Sequence, residues 1–159
     1  MADDPRQFSH LDERGEARMV DVSEKPTTRR VARASCRVTL ADATLERLSV
    51  MPKGDALAVA RVAGIQAAKR TAEWIPLAHA LPVESIAIEF ERLPGALAIV
   101  SEVVVTARTG AEMEALVACS AAALALYDMV KAVERGATIT DLRLDAKSGG
   151  RSGDWERTP

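Results

Sequence analysis

Aromatic side chains are nearly missing from this sequence: two Trp, two Phe and one Tyr in 159 residues, 3% of the chain. A core without rings must gain its buried area from many small side chains in close contact, and strands without exposed rings offer little for bases to stack on. Cysteine is limited to Cys36 and Cys119, far apart with no C-x-x-C, and histidine to His10 and His79. Such a set completes neither a structural zinc site nor a multi-histidine metal centre, and both thiols are expected to be buried and free. Charge of one sign is lacking too: 21 Lys+Arg face 23 Asp+Glu, a net of -2, which suggests neither a basic nucleic-acid binder nor an acidic disordered chain. No uninterrupted apolar run reaches the roughly 18 residues of a membrane span, and the charged start MADDPRQFSHLDERGE is unlike a signal peptide. A cytoplasmic protein without membrane or nucleic-acid partners is expected.

What is present is 48% hydrophobic residues, Ala foremost, enough for one domain rich in closely packed helices. A polar stretch over 1–28, with one alternating piece at 17–22, reads as a mobile N-terminal arm. Residues 30–40, RVARASCRVTL, alternate Val31, Arg33, Ser35 and Arg37 with smaller or apolar neighbours, the pattern of a strand with one wet face. A short helix over 41–50 ends at Met51-Pro52, and a longer one, capped by Asp55, runs over 56–74 towards Pro76. Its stripe of Leu57, Ala60, Ala63 or Gly64, Ala67 and Ala68 implies close approach of another element. Residues 85–92 and 97–107 read as a hairpin turned at Pro94-Gly95. Thr109 to Glu112 fits a capping box opening a helix over 111–135, with Met113, Leu116, Val117, Leu124 and Tyr127 in its apolar stripe and Gly136 as its stop. A last strand over 137–144 precedes the tail AKSGGRSGDWERTP. The order predicts an α+β, ferredoxin-like split βαβ fold: an antiparallel sheet with helices packed on one face. Its other face, apolar at Val103, Val104 and Val105, would be covered by a second subunit, making an oligomer. The domain plan is arm 1–28, ferredoxin-like domain 29–145 and Gly-rich tail 146–159.

Asp128 and Lys131 lie three apart at the end of the almost wholly apolar run CSAAALALY. A surface ion pair there would be ordinary, yet a carboxylate and an ammonium ending a buried helix are candidates for a perturbed acid/base pair. Glu112 and Glu114 sit at the other end, where acidic residues suit a helix dipole. The 14 positions between Glu114 and Asp128 amount to roughly 21 Å of helix. One compact site cannot readily draw both from one chain. Lys53 in MPKGD, and Lys147 and Arg151 in KSGGRSG, are candidate cations; the glycines among the last two could let backbone amides wrap phosphates. His79, in IPLAHALP, is the one His beside a regular element.

Five segments, MVDVSEKPTTRRVARA, KGDALAVARVAGIQAAKRTAEWIPLAH, ARTGAEMEAL, YDMVKAVERG and LRLDAKSGGRSGD, resemble in order and spacing the cyclic pyranopterin monophosphate synthases, the molybdenum cofactor biosynthesis protein C family. The resemblance spans His10 to Asp154. It implies ferredoxin-like subunits in a hexamer, a trimer of dimers with sites at the dimer interface. It also implies a lyase that converts a 3′,8-cyclised dihydro-GTP to the cyclic phosphate of a pyranopterin, releasing diphosphate. On matching positions Asp128 and Lys131 are the implied catalytic pair, Lys53 and Lys147 further cations, and Leu77, Ala78, His79, Met113 and Glu114 substrate-binding positions. Glu112 and Arg151 join that substrate-binding set. The family usually flanks the His with Cys and Pro where this chain has Ala78 and Ala80, and Val130 replaces a common Cys. No cofactor is implied as required, although Mg²⁺ can accompany the phosphates. The chemistry suits the residues: cations hold a triphosphate, and repeated proton transfers need an acid/base pair. The competing reading is a ferredoxin-like regulatory module that binds a nucleotide without turning it over.

Overall fold

Alternation of buried and exposed side chains sets the sheet. The computed structural model describes residues 14–158; the part of the expected arm before residue 14, His10 included, lies outside them. In chain order the elements are β1 (Thr28–Thr39), α1 (Asp42–Leu45) with a 3-10 turn at Leu48–Val50, α2 (Ala56–Ala68), α3 (Thr71–Trp74), β2 (Val83–Leu93), β3 (Ala96–Ala107), α4 (Glu112–Val130), β4 (Thr138–Ser148) and β5 (Trp155–Glu156). All strand pairs are antiparallel, in the order β2-β3-β1-β4-β5. The chain is therefore α+β. On β1, Ala32, Ala34, Cys36 and Val38 are buried beneath the helices while Arg33 and Arg37 are exposed, as period two requires.

α4 lies across β1, β3 and β4, and α2 packs on α4 and β2. The small-residue stripe of α2 resolves to Ala56, Ala60, Gly64, Ala67 and Ala68, all buried. A Cβ added at Gly64 would stand 2.8 Å from the Ala118 carbonyl oxygen and would collide with Ile88, so only Gly permits this approach. Asp55 caps α2 as expected, its Oδ1 accepting the N–H groups of Leu57 and Ala58 at 2.9 and 3.0 Å. Cys36 and Cys119 are buried and free, and the Cys119 sulfur lies 3.3 Å from both the Ala34 carbonyl and the Ser101 hydroxyl, alternative acceptors for its one proton.

Several boundaries differ from the sequence expectation. The first helix is a single turn followed by a 3-10 turn, because Pro52 and the short span leave no room for a full helix. The second breaks at Lys69-Arg70, where the buried Thr71 hydroxyl donates to the Ala68 carbonyl at 3.0 Å and diverts the ladder. α4 carries no capping box: its N-cap is Ala111, with no side-chain cap, and the Glu112 carboxylate folds back over Gly110 instead. It also stops at Val130, where the Tyr127 hydroxyl reaches ahead to the Arg135 carbonyl. Leu124, placed in the apolar stripe by spacing, is 54% exposed, since the buried face is built from Ala115, Ala118, Ala122 and Leu126. By length and composition α4 is apolar enough to cross a membrane, although charges at 112, 114 and 128 keep its uninterrupted run short, and here that content is spent against the sheet and α2. No strand forms over 17–22, and β4 extends to Ser148, bent by two register shifts against β1.

The sheet's second face is less apolar than expected. Val103 and Val105 point beneath the helices and are buried, leaving Val104 half-buried on the outer side. Ion pairs occupy that side, Arg37 with Asp141 at 3.8 Å and Arg143 with Asp145 at 3.0 Å.

Candidate functional site

The chemistry-bearing residues gather at the two ends of α4. At its C-terminal end, Asp128 accepts from two ammonium groups: Lys131 Nζ at 2.7 Å from Oδ1 and Lys53 Nζ at 2.6 Å from Oδ2. Lys53 is aimed there by a tight turn, in which Gly54 (φ +106) donates to the Met51 carbonyl at 2.8 Å just before the Asp55 cap. Its ammonium also donates to the Asp128 backbone carbonyl at 3.0 Å, one of the acceptors a helix end leaves without a ladder partner. The hydrogen bonds from Lys131 and then Lys53 pull the Asp128 carboxyl down to about 2, and the bond to Asp128 raises Lys131. Burial contributes little, because the three side chains are 43–52% exposed. The sequence reading of a pair perturbed by a buried helix is corrected: pairing, in an open position, does it.

The N-terminal end is a cavity of about 450 Å³ lined by Ala78, His79, Glu112, Met113, Glu114 and Arg151, among others. Glu114 is 3% exposed; burial, with the Glu112 carboxylate adding to it, pushes its carboxyl up to about 7. His79 Nε2 lies 3.0 Å from the Val20 carbonyl, which ties the end of the arm to this wall. An adjoining space of about 920 Å³ shares Lys25, Gly110, Glu112 and Arg151 and adds Arg30 and Arg108. The Lys147 ammonium donates to the hydroxyl of Ser152, another lining residue. Leu77 is half-buried and lines neither space, and Ala80 is exposed.

The structure thus brings Ala78, His79, Glu112, Met113, Glu114 and Arg151 to one end, and Lys53, Asp128 and Lys131 to the other, with the length of α4 between; Lys147 lines a separate space with Asp154 and Trp155 and joins the first end only through Ser152. Sequence reasoning missed Lys25, Arg30 and Arg108. Arg30 is fixed by Nε to the Ala107 carbonyl at 3.1 Å and Nη2 to the Arg108 carbonyl at 3.0 Å, and Thr28 Oγ1 beside it is buried with no hydrogen-bond partner among the described residues. The only sequence signal was the density of basic residues in EKPTTRR and ART.

The model of the MoaC family matches residues 19–150. The chain belongs to the MoaC family. It is 54% identical over 153 residues to the cyclic pyranopterin monophosphate synthase of Streptomyces griseus, covering 95% of this chain and 86% of that protein. The enzyme of the same name from Thermomicrobium roseum is 55% identical over 155 residues, covering 95% and 93%. That of Parvibaculum lavamentivorans is 50% identical over 155 residues, covering 95% and 97%. The matched MoaC region contains both ends of α4 and all the site residues except Arg151, which follows it by one position.

Proposed function

We propose that this chain is a cyclic pyranopterin monophosphate synthase, a lyase of molybdenum cofactor biosynthesis, whose site is completed by the C-terminal end of α4 in one subunit and the N-terminal end in another. The activity rests on MoaC membership; the shared site rests on the separation of the two clusters along one unbroken helix. The substrate is the 3′,8-cyclised dihydro-GTP. Lys147, Arg151 and Lys53 hold its triphosphate, and His79, Ala78, Glu112, Met113 and Glu114 hold the base and sugar, with Leu77 next to Ala78 in the chain but outside the lining.

In the cyclisation, a ribose-derived hydroxyl gives its proton to the Glu114 carboxylate and attacks the α-phosphorus. A new P–O bond forms, the bond to the β-phosphate oxygen breaks, and diphosphate leaves with its charge met by the cations. The ring rearrangement needs proton transfers. Lys131, held protonated by Asp128, is the donor; Glu114, poised at about 7, is suited to take a proton near neutral pH and return it. No resident cofactor is assigned, and Mg²⁺ can travel with the phosphates.

The fold reading goes with this one. Element order β-α-β-β-α-β and the strand order β2-β3-β1-β4 support a ferredoxin-like subunit with an appended β5; assembly as a trimer of dimers in the cytoplasm rests on the family resemblance alone. Incubation with the cyclised GTP derivative should release diphosphate and yield the cyclic phosphate. Binding without release, from folded oligomer, would instead make the chain a nucleotide-binding regulatory module.

A further inference from the structure

The tail after β4 is folded back on itself. Gly149 and Gly150 take φ values of +84 and +79, and Gly150 lies against the Arg30 guanidinium, so the chain turns where a side chain would not fit. Two bonds close the loop: the Gly149 N–H donates to Asp154 Oδ1 at 3.1 Å, and the Gly153 N–H to the Gly150 carbonyl at 3.2 Å. Inside it, Ser152 accepts from the Lys147 ammonium. Beyond it, β5 pairs with β4, Trp155 opposite Lys147 and Glu156 opposite Ala146. Arg157 then fastens the end, its N–H to the Asp145 carbonyl and its Nε to the Leu144 carbonyl, both at 2.8 Å.

A carboxylate is an unfavourable neighbour for phosphates, so a role for Asp154 must come from what its oxygen holds. We propose that Asp154 is a positioning residue: by closing the 149–154 loop it sets Arg151 and, through Ser152, Lys147 for the polyanionic part of the substrate. This rests on the function proposed above. A loop with three left-handed glycines loses much entropy when ordered, and ordering it before binding removes that cost from the binding step.

The test compares Asp154→Ala, Asp154→Asn and Ser152→Ala in the full-length chain. Asp154→Asn keeps an oxygen able to accept from Gly149 while removing the charge; Asp154→Ala removes both. Asp154→Ala should raise KM for the cyclised GTP derivative about tenfold and weaken inhibition by inorganic diphosphate about as much, with kcat changed less than about threefold. Asp154→Asn should return both values to within about threefold of the unaltered chain, and Ser152→Ala should raise KM about threefold. Equal damage from both Asp154 variants, or tighter diphosphate binding by both, would overturn the proposal. Should Asp154→Ala fail to fold, by circular dichroism, Ser152→Ala and Asp154→Asn decide: no KM effect from the former, or a tenfold rise in the latter, overturns it. If the unaltered chain releases no diphosphate from the cyclised substrate but binds inorganic diphosphate with the predicted variant pattern, the clasp stands and the proposed activity falls.

Discussion

At the C-terminal end of α4, Asp128 is half in solvent and held ionised by two ammonium groups within 2.7 Å; at the N-terminal end, Glu114 is 3% exposed beside a second carboxylate and is pushed up to about 7. One helix thus holds two acids by opposite means. The first is satisfied within the chain and needs nothing further to keep its charge. The second is costly to ionise as it stands and becomes comfortable only when a donor or cation is brought to it. An end complete in itself and an end awaiting a visitor suit a division between a fixed proton donor and a carboxyl that holds the substrate and exchanges a proton with it.

The sharpest break of that division is Lys131→Ala, expected to lower turnover by about 10³-fold with the fold retained, measured as diphosphate release and by circular dichroism. Near-normal turnover would remove the C-terminal cluster from the chemistry. Mixing Lys131→Ala chains with Glu114→Ala chains should recover about a quarter of the activity, because randomly paired dimers leave a quarter of shared sites unaltered. No recovery after subunit exchange would mean that each chain works alone.

Glu114→Gln tests the other end. The ordinary carboxyl value is 4.5 and the folded one about 7, so the folded chain binds more protons in between and its stability falls as pH rises across that window. Above it the loss is on the order of 3 kcal/mol, which the Gln variant should regain at pH 8 in denaturant unfolding and should not show at pH 4. Equal gains at both pH values would trace the effect to packing. Gly64→Ala should cost about 1–3 kcal/mol by forcing α2 off α4, a change that ought to disturb both ends together. The smallest effect is Lys53→Ala, which should raise the Asp128 carboxyl towards its ordinary value in an NMR titration, with Lys131 still holding it below.

Legibility followed how local the determinant is. The strands β1, β2 and β3 and the Asp55 cap rest on neighbours in sequence, and their patterns are plain in RVARASCRVTL, SIAIEFER and GDAL. The close helix contact was legible because small side chains have few other uses at helical spacing. The end of α4 and the break before Thr71 depend on particular side-chain hydroxyl bonds to backbone carbonyls, and the bends of β4 on register shifts against β1, none of which periodicity carries. At the site, Asp128 and Lys131 stood out as charges after an apolar run, whereas Glu114 looked like any acid in a first helical turn until burial set it apart. Arg30 was hidden because its importance comes from the carbonyls of residues 107 and 108.

The unbroken course of α4 from Glu112 to Val130 makes the helix a gauge as well as a support. Each residue added or removed between its ends would turn one cluster relative to the other by about 100° and shift it about 1.5 Å. Side chains midway along it can vary in size as packing allows, but their number is fixed. In a site shared between subunits, a one-residue deletion there would leave both clusters whole and point them at different places.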